Sequence, residues 1–286
     1  DPVEITQPGL RQVQVNPRIE WTFAKALRAF LRADPDVIMV GEIRDQESAV
    51  IAQQAGTSGH MVLSTVHANS AAEVLPRVLS FGLKGFQVAS VLSAMIAQRL
   101  VKKLHPDSAV EWDRPNDVER EWLVKRNMFD VNLRVPRVVE GGFAGRLPLV
   151  EMIEITPAIR SLIEGGNEDP ATLLPKIVEL AAEQEQFETL AQAGVRSVLE
   201  GKTTLEEVMG AVSDVAYIPK KRRWEQILVH EGLLKVSDLE MLRQEIFEMR
   251  LQGKVLSLKH HMVNRGVCSL EQVIVAMGMA DYHAPE

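Results

Sequence analysis

The stretch "LRADPDVIMVGEIRDQESA", Leu31 to Ala49, decides the fold. Val37 to Val40 form an unbroken apolar run of strand length, too short for a helix and too uniformly apolar for a half-exposed strand. "DQESAVIAQQAG" (Asp45–Gly56) follows and reads as a helix ending at Gly56. A second apolar run, "MVLST" (Met61–Thr65), comes next, and "EWTFAKALRAFLRA" (Glu20–Ala33) precedes with helical spacing. Short apolar strands separated by helices imply an α/β fold, a parallel sheet with helices on both faces. Gly41 and Glu42 then fall at the carboxyl end of the first strand, where open parallel sheets bind their ligands. A carboxylate there can hold a magnesium-bound water or orient an attacking one; an exposed loop acid is the plain alternative.

Farther along, "AAEVLPRVLSFG" and "FQVASVLSAMIAQRLVKKL" read as helices, with Pro76 kinking the first or marking its first turn. Residues 106–150 turn polar and charged, with a helix expected at the end of "HPDSAVEWDRPNDVEREWLVKRN". "VPRVVEGGFAGRLPLVEMIEI" (Val135–Ile155) gives two extended segments around a glycine-rich turn. Residues 157–215 are helical. "YIPKKRRW" (Tyr217–Trp224) reads as a linker, and residues 224–286 as a separate helical module with a faint repeat: Val229/Gly232 and Val263/Gly266, followed by Leu239 and Val273 seven positions after each glycine.

Composition excludes several classes. The 286 residues are 46% hydrophobic and carry a net charge of −7, which argues against a general nucleic-acid binder. No apolar run reaches membrane-spanning length and no signal peptide is visible. The single cysteine, Cys268, cannot build a disulfide scaffold within the chain and suits a reducing compartment.

"GKTT" (Gly201–Thr204) has the ending of a phosphate-binding loop, but Arg196 stands where that loop needs its first glycine. The segment before it is helical rather than a strand. The expected role is a helix junction: Gly201 as a left-handed helix end, Thr204 as the next N-cap, and Glu207 completing a capping box.

"DPVEI" (Asp1–Ile5), "QVQVNPRIEWTFAKALRAFLRADPDVIMVGEIRD" (Gln12–Asp45) and "AGTSGHMVLSTVHANSA" (Ala55–Ala71) resemble the Asp box, Walker B and His box of the hexameric motor ATPases of type IV pilus assembly and type II secretion. The likeness continues through "GFAGRLPLVEMIEI" and "TLAQAGVRSVLEGKTTLEEV", up to about residue 215. It implies a partial RecA-like core over residues 1–105, an insertion over 106–155, a helical C-terminal subdomain over 156–215 and an extra helical module over 216–286. Glu4, with Asp1 in the same box, matches the glutamate that activates or positions the hydrolytic water. Glu42 matches the Walker B glutamate and, with Gly41 where most P-loop enzymes place an aspartate, acts on magnesium through water. His60 and His67 match the His box, which faces the γ-phosphate. Without the resemblance, His60 is a strand-start histidine of no special role. Arg28, Arg32 and Arg44 are candidates for phosphate sensing or for salt bridges between subunits.

The resemblance implies ATP and Mg²⁺ as cofactors of a homo-hexamer that drives pilin or pseudopilin assembly through a platform protein, on the cytoplasmic face of the inner membrane. Membrane association is peripheral, through partners. The alternative is a non-catalytic or regulatory subunit that joins such a motor. The family's Walker A loop lies upstream of the Asp box, where this sequence starts, so the sequence as given is expected to bind ATP poorly. The family's four-cysteine zinc site is also missing: His105, Ser108, Val135 and Val138 fall at the ligand positions, and no zinc is expected. Trp112, Trp122, Phe129 and Phe143 are then the expected apolar anchors of the insertion. The terminal module is similar to helical modules that in some relatives bind cyclic di-GMP. Trp224 and Glu225 depart from that pattern, so protein docking is expected there instead of dinucleotide binding.

Overall fold

The computed structural model describes residues 3, 5–126, 128, 133–165, 170–184, 186–212, 228, 232–251 and 258–282. The chain divides into two compact units, Asp1–Ala97 with Glu151–Ile177, and Gln98–Val150 with Val178–Glu286. The expected linker Tyr217–Trp224, Glu225 and Phe129 lie outside the described residues.

In the first unit, α1 (Phe23–Phe30) starts at Thr22, whose hydroxyl accepts from the Lys25 N–H. It leads into β1 (Val37–Val40). Asp45 caps α2 (Gln46–Thr57), accepting from the Ser48 N–H at 2.8 Å and its hydroxyl at 3.1 Å. β2 (Met61–Ser64) pairs with β1 in parallel, Val37 opposite Met61 and Val40 opposite Ser64. The expected helix end at Gly56 comes one residue later, at Thr57. Gly56 serves instead for close packing, since an added Cβ would stand 3.0 Å from Val91 Cβ.

Ile38 and Val40 point into a core with Ala24, Leu27, Ile51, Ala52 and Ala55, all from α1 and α2. The expectation of helices on both faces is corrected here. Both helices pack on the same face, and Val37, Met39, Met61 and Leu63 on the other are each at least half exposed among the described residues. α3 (Val74–Ser80) carries Pro76 in its first turn, where its missing N–H costs nothing.

The expected long helix over Phe86–Leu104 is also corrected. α4 (Gly85–Ala89) is short, and β3 (Ala94–Leu104) follows as a strand. The reason is period 2 rather than 3.6: Met95, Ala97 and Val101 are buried, whereas Ile96, Gln98 and Leu100 are exposed. β3 pairs with β6 (Phe143–Glu154). α6 (Pro157–Glu164) packs on α4, and Arg160 donates to the Leu92 carbonyl at 3.3 Å. α7 (Pro170–Ala182) follows it.

In the second unit, β4 (Ala109–Asp113) and β5 (Val135–Glu140) form an antiparallel pair, with α5 (Asp117–Lys125) between them in sequence. Of the expected aromatic anchors, Trp112 and Phe143 are 46% and 40% exposed, whereas Trp122 is partly buried with the Arg126 guanidinium 4.1 Å from its ring centre. Leu123 and Val135 are buried, and Arg137 forks onto the buried Glu119. That bridge keeps Arg137 protonated beyond its usual range, chiefly through the hydrogen bond to Glu119. Of the four zinc-ligand positions, Ser108 ties the glycine turn: its hydroxyl donates to the Gly142 carbonyl at 2.8 Å and lies 3.0 Å from the Gly142 N–H. The His105 N–H also donates to the Gly142 carbonyl. Val135 is buried and Val138 is 37% exposed.

α8 (Leu190–Leu199) and α9 (Leu205–Ala211) complete this part. Beyond them the described residues include three helices, Val236–Leu251, Leu258–Asn264 and Leu270–Tyr282. Here the faint repeat becomes structural. Leu228, Leu234, Leu239 and Leu242 share one core with Met262, Cys268, Val273 and Ala276, the same positions shifted by one repeat. The turn bonds repeat as well, Leu233 N–H to Leu228 C=O and Val267 N–H to Met262 C=O, with Gly232 and Gly266 both at positive φ. No described helix is long and apolar enough to cross a membrane.

Candidate functional site

Parallel pairing carries the β1–β2 ladder past the strand ends. The Ile43 N–H donates to the Thr65 carbonyl at 3.0 Å, and the Thr65 hydroxyl donates to the Gly41 carbonyl at 2.5 Å. Gly41 to Arg44 therefore continue alongside the residues that follow β2. Glu42, 7% exposed, sits at this carboxyl end. His67 Nε2 lies 2.8 Å from its Oε1, and Arg44 places Nε and a terminal guanidinium nitrogen each 2.5 Å from its Oε2. Burying an unpaired carboxylate would be costly; here each oxygen has a donor.

Three of the seven site residues expected from sequence thus meet: Glu42, His67 and Arg44. Arg28 instead reaches Glu47 in the first turn of α2, at 2.9 Å, with both side chains more than half exposed. Arg32 is exposed just past α1. His60 precedes β2, at the opposite end of the strand from Glu42, roughly 20 Å away along the ladder at about 3.3 Å per residue. Its Nδ1 lies 3.0 Å from the Ser58 hydroxyl and 3.1 Å from the Ala55 carbonyl, at the end of α2. Glu4 lies outside the described residues.

Two acids that sequence reasoning passed over shape the segment after His67. Glu151, 3% exposed, accepts the Ala71 N–H at 2.7 Å. Glu73 accepts the Asn69 N–H at 2.9 Å. A signal for Glu151 was present: in "LPLVEMIEI" it shares the inward phase of Leu149 and Ile153, and an acid in that phase needs a buried donor.

The GKTT segment is a helix junction. The Gly201 N–H donates to Val198 and the Lys202 N–H to Ser197, with Gly201 at φ +69°: a Schellman end. Thr204 caps α9, accepting the Glu207 N–H at 3.4 Å. The expected capping box is only half made. The Glu207 carboxylate turns away to the Lys102 N–H at 3.2 Å and Lys102 Nζ at 2.9 Å. Burial works to raise the Glu207 carboxyl, and these Lys102 bonds outweigh it, leaving it below its ordinary value. Lys202 pairs with its neighbour Glu200.

Among the described residues, no group of three or more His, Cys, Asp or Glu side chains is arranged to hold a metal by itself. The donor set at β1 still fits magnesium of the kind that keeps its waters and is bound mainly by phosphates, with one carboxylate nearby.

The family profile described as Type II/IV secretion system protein matches residues 1–210. The chain is 41% identical over 225 residues to the type IV pilus assembly ATPase PilB of Pseudomonas aeruginosa, covering 75% of this chain and 38% of that protein. It is 38% identical over 218 residues to a putative type II secretion system protein E of Escherichia coli, covering 74% and 42%. A solved structure of the pilus retraction motor PilT with bound ADP aligns at 27% identity and a TM-score of 0.46, covering 68% of this chain and 42% of that one. The chain spans about two fifths of the length of these curated relatives. It belongs to the type II/IV secretion system protein family.

Proposed function

We propose that this chain is the acid-and-histidine part of an ATP-hydrolysing motor subunit that powers pilus assembly or type II secretion. The observation that carries the reading is Glu42, buried at the carboxyl end of β1 with His67 and Arg44 on its two oxygens. That is where an open parallel sheet presents groups to a ligand, and phosphoryl transfer needs an acid there to order water. Magnesium, when bound with ATP, neutralises charge on the phosphates. Glu42 then polarises water through its carboxylate, and His67 stands within reach of the same carboxylate as a hydrogen-bond donor. Glu4 is proposed to share the work on water, and Arg28 and Arg32 to act at phosphates or between subunits. His60 takes a role at the γ-phosphate only if the nucleotide extends toward the amino end of β2.

The proposed setting is a homo-hexamer on the cytoplasmic face of the inner membrane, working on a platform protein. Residues 1–105 supply the nucleotide side, 106–155 the zinc-free insertion, 156–215 the helical subdomain, and 216–286 a protein-docking module. The test is Glu42→Gln in the intact subunit that carries this segment. Glutamine keeps the shape and loses the charge, so ATP should bind while turnover falls by orders of magnitude. Near-normal steady-state turnover would remove Glu42 from the mechanism, and loss of ATP binding would make it a binding group.

A further inference from the structure

We propose that Arg44 is a positioning residue for Glu42, holding its carboxylate in the orientation needed to act on water, and is not a contact to nucleotide phosphate or to a neighbouring subunit. This rests on the reading of Glu42 as the catalytic acid.

The backbone after β1 stays extended because the Ile43 N–H is still bonded to Thr65. Extended backbone places residues i and i+2 on one side. Glu42 and Arg44 therefore stand side by side with Ile43 between them, held in that geometry by the pairing to Thr65. Arg44 brings two nitrogens, each 2.5 Å away, to the single oxygen Oε2. The planar fork fixes direction as well as charge, which a lysine could not do. The two side chains differ in exposure: 9% for Glu42, 60% for Arg44. The buried acid is thus gripped from the solvent side by a cation that is always charged.

The other oxygen, Oε1, faces His67, whose side chain is 83% exposed. A carboxylate that acts on water must offer one oxygen. Oε1 is the one that can be released, because the exposed imidazole of His67 can swing into solvent. Separating Arg44 from Glu42 would leave a buried charge without its counterion. The arrangement divides the carboxylate into a held oxygen and a working oxygen.

Two measurements test this. In the intact subunit, Arg44→Ala should lower kcat about ten- to a hundredfold, the cost of a misplaced catalytic group. KM for MgATP should stay within about twofold, and the oligomer should remain assembled. Arg44→Lys should recover only part of the loss. A raised KM with kcat unchanged would place Arg44 on phosphate. Loss of assembly would place it between subunits, and unchanged kinetics would leave it without a role; each overturns the proposal. The 286-residue chain supplies the second readout, independent of turnover. Melting of Glu42→Gln, Arg44→Ala and the double variant should be non-additive, the double falling no further than Arg44→Ala alone. Additive shifts would overturn the pairing itself. If Glu42→Gln leaves turnover intact while the melts stay non-additive, the catalytic reading has failed and the pairing has not.

Discussion

Gly194→Ala sets two opposed effects against each other, and the structure decides the sign. Gly194 lies inside α8, where replacing glycine by alanine favours the helix by about 0.8–1 kcal/mol. An added Cβ, however, would fall well inside van der Waals contact of Val208 Cγ1. It would also lie 3.2 Å from Val208 Cγ2 and 3.3 Å from Leu149 Cδ1. Carbon pairs prefer about 3.5–4.0 Å, so α8 and α9 must part by about 1 Å. Neither neighbour can yield into water, with Val208 at 0% and Leu149 at 1% exposure. Valine is also stiff at its only side-chain torsion. Overpacking of this kind costs about 1–3 kcal/mol. The net expectation is a loss of about 0–2 kcal/mol, read from the midpoint of a urea titration at unchanged slope. Val208→Ala in the same chain should make room, so the double variant should be more stable than the sum of the two single losses. A Gly194→Ala chain stabilised by about 1 kcal/mol, as helix propensity alone requires, would refute the α8–α9 packing and with it the junction reading of GKTT.

Lys202→Ala in the intact subunit should leave ATP turnover almost unchanged, because Lys202 makes an exposed pair with Glu200, worth at most about 1 kcal/mol; collapse of ATP binding would restore a phosphate-loop role. Thr204→Ala removes the α9 cap and should cost about 0.5–2 kcal/mol in the urea midpoint without changing turnover per folded subunit. Glu207 is held below its ordinary value in the folded state, so its bond to Lys102 stabilises above the unfolded carboxyl range and is lost as pH falls through the folded value. Glu207→Gln should therefore flatten the acid limb of stability against pH below about 4.3, and an unchanged limb would count against the contact. Cys268 is 4% exposed and its thiol is pushed up by burial, so a thiol reagent should label it only as the terminal module opens; rapid labelling under native conditions would contradict the packing around it.

Much of this protein is written in local pattern. Val37–Val40 and Met61–Ser64 were legible as parallel strands because both are short apolar runs bracketing a helix with its own cap at Asp45. Glu42 followed as a strand-end acid, and GKTT could be dismissed from the absence of its partner glycine. The repeat in the terminal module showed in the two glycines before its core positions did. Ala94–Leu104 misled because an apolar stretch with alanine, glutamine and leucine satisfies helical and alternating templates together. Only the burial of Met95, Ala97 and Val101 on one side separates them.

The sequence by itself determined which residues could do chemistry and roughly where along the chain they sit, since strand ends, caps and charge are properties of neighbouring residues. It could not determine which candidates meet. His60 and His67 belong to one short stretch, yet β2 lies between them, and parallel pairing puts only His67 beside Glu42. In sequence Arg44 and Arg28 looked alike, as cations for phosphate or for salt bridges between subunits. Extended backbone turned one onto Glu42, and the packing of α1 on α2 turned the other onto Glu47. Partner choice is set by the register and direction of elements distant in sequence. Those follow from how the apolar faces bury one another, a property of the whole fold and of no single segment.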